Sequence, residues 1–271
     1  MGRFDLRTRT GLVYNIIQGN IAVDNDFLVF FNRVISAGGT LSVLEQIATN
    51  KLVIDLKSYD LWNSMKAIYP MVGSSSEACS QNLISSSFTG SFSSGWTFTS
   101  TGVTPNGTSA YLNSNFNQSS NLIPSNNHIS VYSKTDSNAL YIDCGVTNNT
   151  SYSFSQLFIR NNGNTVYENG SQVISAATSN SLGFYCGTST SNTSAKLYKN
   201  GSSISSSTTL QARTMFNNNI YIAATNFSNI PVGYSNRKYA FVSIGYGLTD
   251  TQAANFYTAV QAFQTTLSRN V

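Results

Sequence analysis

The sequence predicts a mainly β chain: an antiparallel β-sandwich of jelly-roll type, preceded by a helical hairpin and closed by a C-terminal helix. Three observations carry this. From about residue 83 to 248, short runs of alternating apolar and polar residues are separated by clusters of Gly, Asn and Ser, the pattern of many short antiparallel strands. Two of the separators, Asn162-Gly163 and Asn200-Gly201, are dipeptides that supply the positive φ angles of a tight hairpin turn. On either side of this region the apolar period changes to three or four residues, and capping residues mark helix starts.

The elements follow in order. Residues 1–23 have no clear periodicity and read as an arm that docks on a neighbour. A helical segment occupies residues 24–73. Asp24 or Asp26 caps its first helix, and Phe27, Phe30, Phe31 and Val34 fall on one face before Gly38-Gly39 ends it. The second helix opens on a capping box, Ser42-x-x-Glu45, with Leu41, Leu44, Ile47, Ala48 and Leu52 as its buried stripe. It runs to about Lys57, and the stretch from Tyr59 to Met65 adds a short turn that seats Trp62. The hairpin is too small to stand alone, so it packs on the rest of the chain or on another subunit.

The sandwich spans 83–271, with alternation clearest in Ile129–Ser133, Tyr152–Ile159 and Tyr239–Ile244. It closes with a helix over 250–268, where Thr249-x-x-Gln252 is the capping box. Ala253, Phe256, Val260, Phe263 and Leu267 repeat at three- and four-residue steps there.

Composition narrows the function classes. Charged residues make up 10% of the 271-residue chain and hydrophobic ones 41%, against about 25% charged in an average soluble domain. The surface therefore stays wet through the neutral groups of Ser, Thr and Asn. The net charge of +4 is scattered except for Arg3, Arg7 and Arg9, which argues against nucleic-acid binding. No apolar run approaches the roughly 20 residues of a membrane span. Met1-Gly-Arg-Phe-Asp leads into no signal-peptide core, so synthesis in a cytoplasm without classical secretion is expected. Cys79, Cys144 and Cys186 lack metal spacing, and the last two read as buried thiols in strands.

The run Tyr239-Ala-Phe-Val-Ser-Ile-Gly-Tyr-Gly-Leu-Thr-Asp-Thr-Gln-Ala-Ala-Asn-Phe-Tyr resembles the closing strand and helix of concanavalin A-like, laminin-G-type jelly rolls. Lys196-Leu-Tyr-Lys-Asn-Gly201 is similar to a hairpin of that family. The segment from Ala37-Gly-Gly-Thr-Leu-Ser to Ile68-Tyr-Pro-Met-Val-Gly73 resembles one that precedes such domains in phage structural proteins, tail and head fibres among them. The resemblance covers roughly residues 25–268. It implies a virion protein of fibre or spike type, with other virion proteins and copies of itself as partners, a trimer by analogy. Assembly contacts are expected from Arg3, Arg7, Arg9, Phe27, Phe31 and Trp62. A role confined to capsid or tail decoration and assembly is the alternative.

The jelly-roll family also contains glycosidases, which need two carboxylates about 5–10 Å apart. Residues 83–248 contain only Asp136, Asp143 and Glu168, none at the expected Glu-x-Asp-x-Glu spacing, so no enzyme is expected. The lone histidine, His128, reads as a hydrogen-bonded strand-end residue rather than a triad base. No cofactor is expected beyond a calcium ion, which Asp143 and backbone carbonyls could hold as in some laminin-G-type domains. Host surface polysaccharide is the expected ligand, since amides, hydroxyls and aromatic faces bind sugars without charge. The strand tyrosines Tyr132, Tyr141, Tyr152, Tyr185 and Tyr221 are the candidates, with Tyr167 beside them; Trp96 reads as core.

Overall fold

The computed structural model describes residues 22–148, 154–210, 212 and 214–271. Arg3, Arg7, Arg9 and Tyr152 lie outside them. Helix α1 (Asn25–Ser36) is capped by Asp24, whose carboxylate accepts the Asp26 N–H at 2.9 Å. Lys57, near the end of α2 (Val43–Ser58), bridges Asp24 and Asp26 at 2.6 Å each and so ties the two helices. The capping box at Ser42 and Glu45 forms, and the second Glu45 oxygen accepts the Gly73 N–H at 2.7 Å.

That extra bond shifts the buried face of α2 from the expected stripe. Glu45, Gln46, Thr49 and Asn50 are buried with Ala48, Leu52, Val53 and Leu56, while Leu44 is 49% exposed. The polar groups tolerate burial because several are bonded: Asn50 donates to Ala22 O and accepts from Asp24 N–H, both at 2.8 Å. A 3₁₀ turn, Trp62–Ser64, then leads directly into strand β1 (Met65–Tyr69).

Strands are numbered in chain order and fall into two sheets. Sheet A runs β13 (Ser202–Ser207), β12 (Ser194–Lys199), β11 (Gly183–Ser191), β6 (Asn127–Ser133), β17 (Tyr239–Gly245), β4 (Gly102–Pro105), β3 (Trp96–Thr99). Strand β1 also pairs with β17, with Tyr69 opposite Val242, so the segment expected to be helical contributes a strand to the sandwich. Sheet B runs β10 (Gln172–Ala177), β9 (Asn164–Gly170), β8 (Phe154–Asn161), β7 (Cys144–Thr147), β14 (Asn219–Ile222), β5 (Leu112–Asn117), β2 (Ser91–Phe92). A hairpin of β15 (Thr225–Phe227) and β16 (Ile230–Val232) joins it alongside β7. Two single-turn helices, α3 (Ser76–Cys79) and α4 (Gln118–Asn121), lie in the connections. Both predicted hairpin turns form, with Asn162 and Asn200 each at φ 48° ahead of Gly163 and Gly201 at positive φ.

The long closing helix α5 (Asp250–Thr266) has its predicted capping box, and Ala253, Phe256, Val260 and Phe263 are buried. They meet Tyr132, Phe184, Tyr198 and Phe241 of sheet A, together with Phe27, Phe30, Leu52 and Leu56 from α1 and α2. The other face of sheet A supplies Ile129, Val131, Tyr185, Leu197, Val242 and Ile244. These pack against Leu112, Phe116, Cys144, Val146, Leu157, Tyr167, Ile220 and Ile222 of sheet B. The molecule thus has three layers, helices on sheet A on sheet B. Among the described residues no helix contributes to an apolar core on the far face of sheet B, although Gln156, Gly145 and Tyr221 at the centre of that face are buried.

Candidate functional site

The register of sheet B defines what that outer face carries. Val173 lies opposite Glu168, Glu168 opposite Gln156, and Gln156 opposite Gly145. Gly145 lies opposite Tyr221, Tyr221 opposite Asn113, and Asn113 opposite Ser91. Their chain neighbours Tyr167, Leu157, Cys144, Ile220, Ile222 and Leu112 point into the core, so this row points outward. At its middle, a side chain on Gly145 would meet Gln156 Cγ at 2.8 Å and Ser155 O at 3.0 Å. Gly145 is itself buried, covered by the Gln156 side chain, whose Nε2 donates to Thr225 Oγ1 at 2.7 Å.

An aromatic group stands beside Gly145 in the register. The Tyr111 and Tyr221 rings lie 4.7 Å apart at 31°, an offset packing that leaves Tyr221 6% exposed and Tyr111 half-buried. Tyr234, also half-buried, comes from the loop before β17. Burial raises the phenols of Tyr221 and Tyr234 above the ordinary value, and the nearby Tyr111 adds to both. Tyr221 and Tyr234 therefore present protonated hydroxyls at neutral pH. Asn113 and Glu168 add an amide and a carboxyl to the same face, and burial pushes the Glu168 carboxyl upward.

Of the expected tyrosines among the described residues, the structure places only Tyr221 in this group. Tyr132 is buried between sheet A and α5, with its hydroxyl donating to Gln261 Oε1 at 3.0 Å. Tyr185 and Tyr167 lie between the sheets, fully buried, so none of these three can meet a ligand in this fold. Tyr141 is half-buried and stacks over the Arg237 guanidinium at 5.1 Å. Tyr111 and Tyr234 were not among the sequence candidates. Tyr111 could have been found, because Leu112, Ser114 and Phe116 alternate inward and put Tyr111 and Asn113 on the opposite face. Trp96 packs at the core margin, edge-on to Phe92 at 5.0 Å.

The other candidates are spent inside the molecule. Phe27 is 1% exposed in the helix-layer core; Phe31 is half-buried and stacked on it; Trp62 is half-buried under Lys57. Asp143 is fully buried and faces a cation already: Arg237 Nη1 donates to its two oxygens at 3.0 and 2.9 Å, and Tyr239 Oη donates at 2.7 Å. A guanidinium therefore sits where the calcium ion was expected. The three carboxylates of residues 83–248 go to different places: Asp143 to the interior, Asp136 to the rim with Arg160 at 2.9 Å, Glu168 to the outer face of sheet B. The three cysteines are buried free thiols.

His128 is fully buried beneath α5, with Nε2 2.9 Å from Ser243 Oγ and Nδ1 2.6 Å from Tyr246 O. The serine–histidine contact is sealed from solvent. Burial pushes this imidazole down to about 4, opposed in part by the Tyr246 carbonyl. The unfolded chain takes up the proton near 6.5 and the folded one only near 4. The stability held by neutral His128 is thus complete above pH 6.5 and is lost as pH falls to about 4, a total on the order of 3 kcal/mol. Urea midpoints measured across that window should fall steadily, and His128→Gln should flatten the slope.

A concavity of about 350 Å³ lies between the start of α5 and strands β11 and β12, lined by Thr188, Lys196, Leu248 and Asp250 among others. Its charges are mutually satisfied, Lys196 Nζ lying 2.6 Å from Asp250, which also accepts from Tyr198 Oη at 2.5 Å.

No family model matches the chain, and no curated protein matches it at a significant level. Solved structures do. One is a mutant Trypanosoma rangeli sialidase displaying trans-sialidase activity, with TM-score 0.50 and 11% identity over 79% of this chain and 39% of that one. Another is domain 4 of AbnA, a GH43 extracellular arabinanase from Geobacillus stearothermophilus, in complex with arabinotriose. It has TM-score 0.48 and 14% identity over 71% of this chain and 98% of that one. The chain spans 23% of the length of a mutant Streptococcus pneumoniae NanB sialidase that it matches over 48% of itself, with TM-score 0.40 and 15% identity. At such identities the likeness is one of fold, a jelly-roll-like β-sandwich.

Proposed function

We propose that this chain is a non-catalytic glycan-binding β-sandwich and a structural subunit of a phage particle, of fibre or spike type, that meets host surface polysaccharide through the outer face of sheet B. The observation that carries the binding reading is the Tyr111–Tyr221–Tyr234 group, in which Tyr111 and Tyr234 are half-buried. Aromatic faces stack on the C–H surfaces of sugars, and adjacent amides and hydroxyls read their hydroxyl groups. The particle role is supported by the low charge of the chain and by the resemblance of residues 37–73 to a segment that precedes such domains in phage structural proteins.

Binding of the purified full chain to capsule and surface polysaccharide of the host is the test. Tyr111→Ala should weaken saturable binding about tenfold, the equivalent of roughly 1.4 kcal/mol, with an unchanged far-UV spectrum. Equal binding by wild type and variant would remove the outer face from the reading. The decoration reading is favoured by Val29, Val43 and Leu44, which are 46%, 40% and 49% exposed on α1 and the start of α2. It predicts particle association that survives loss of all polysaccharide binding.

A further inference from the structure

We propose that Asn162-Gly163, the turn between β8 and β9, is a self-modifying site at which the asparagine amide is lost and the turn acquires a carboxylate. The site is separate from the glycan face, and its chemistry needs no ligand. The chain carries four Asn-Gly pairs, at Asn106, Asn162, Asn169 and Asn200. A glycine after asparagine leaves its backbone nitrogen unshielded by any side chain. That nitrogen attacks the asparagine Cγ and a cyclic imide forms. The side-chain NH2 departs as ammonia, taking the glycine amide proton. Water then opens the imide at either carbonyl, giving aspartate or its β-linked isomer. No oxidant or reductant enters the balance.

The structure separates the four pairs, because attack requires a side chain that can turn and room at the glycine. Asn169 is fully buried in β9, opposite Gln172 and Ser155. Asn106 Oδ1 accepts the N–H groups of Thr108, Ser109 and Ala110, each at 3.0 Å, and its Nδ2 donates to Ser109 Oγ. Asn200 shares the φ of 48° with Asn162, but its Oδ1 accepts the Phe184 N–H at 2.8 Å. Tyr257 of α5 also crowds its glycine: a Cβ on Gly201 would meet Tyr257 Cδ1 at 2.9 Å. Asn162, by contrast, is exposed, and among the described residues nothing lies within 4 Å of a Cβ placed on Gly163. Gly163 N–H donates to Asn138 Oδ1 at 2.8 Å, and Asn138 is an exposed side chain whose place water can take. Asn161 and Asn164 face each other across this two-residue turn, so the extra backbone carbon of the β-linked isomer breaks the register. The new carboxylate arrives two residues from Arg160, whose Nη1 lies 2.9 Å from Asp136.

The test incubates the full chain at physiological temperature, at neutral and at mildly alkaline pH, beside a urea-denatured sample. Peptide mass mapping locates each gain of one mass unit, and an isoaspartyl methyltransferase counts the β-linked product. In the folded chain Asn162 should convert at least about tenfold faster than Asn106, Asn169 or Asn200, and in the denatured chain all should convert at similar rates. Asn162→Gln should remove the folded-chain signal, and Asn138→Ala should raise it about threefold by releasing the Gly163 N–H. Conversion of Asn106 or Asn200 as fast as Asn162 would overturn the proposal. So would a folded chain that keeps every amide while the denatured one loses them.

Discussion

Arg237→Met is expected to lower the unfolding free energy by about 3–5 kcal/mol, the range for breaking one side of a buried ion pair. Arg237 and Asp143 are both fully buried, and the guanidinium also donates to Ser137 O at 2.9 Å and Arg160 O at 2.8 Å. Without it the Asp143 carboxylate keeps only the Tyr239 hydroxyl, the Ile159 N–H at 2.8 Å and a long contact to Ser235. The pair joins β7 to the segment that leads into β17, and so one sheet to the other. Urea unfolding should show the loss as a lower midpoint at unchanged slope. Arg237→Met combined with Asp143→Leu should recover part of it, because the uncompensated charge is then gone.

Arg269→Met should cost a similar amount, about 3–5 kcal/mol, for a different reason. Arg269 is buried near the C-terminus with no carboxylate partner among the described residues. Its guanidinium donates instead to Met71 O at 2.7 Å, Pro70 O at 3.1 Å, Ala240 O at 2.9 Å and Gln264 Oε1 at 2.8 Å. Burial lowers it to about 10, so it stays charged at neutral pH. Truncation strands several buried acceptors at once, each at roughly 1–3 kcal/mol. Because these acceptors belong to the end of β1, to β17 and to α5, the helix layer should loosen first. Hydrogen exchange in α5 should then accelerate more than in β8 and β9. Uniform acceleration across both would show that the residue holds no such local joint.

The helix termini were legible because capping is local: Asp24, the Ser42–Glu45 box and the Thr249–Gln252 box all form as the spacing predicts. The Asn-Gly turns were legible for the same reason. Strand β1 was not, since Met65–Tyr69 is defined by its pairing with β17, far along the chain, and reads locally as the tail of a helical segment. Leu44 was misassigned to the core because the bond from Glu45 to Gly73, a tertiary contact, sets how α2 is rotated.

The tyrosines show the limit most clearly. Tyr132, Tyr185 and Tyr221 all sit in strands beside apolar neighbours, and alternation alone cannot rank them. Their fates depend on which sheet the helices cover. Sheet A is buried on both faces, so Tyr132 and Tyr185 are core whichever way they point, whereas Tyr221 faces out from sheet B. Composition had already indicated a surface suited to neutral hydrogen bonding, but its location needed the layer order.

The most direct measurement is amide shift mapping on the isotope-labelled full chain during titration with a neutral oligosaccharide from the host polysaccharide. The account predicts saturable shifts along the row Asn113, Tyr221, Gly145, Gln156 and Glu168, with Tyr111 and Tyr234 beside them. Shifts confined to Thr188, Lys196 and Asp250, around the concavity at the start of α5, would contradict it.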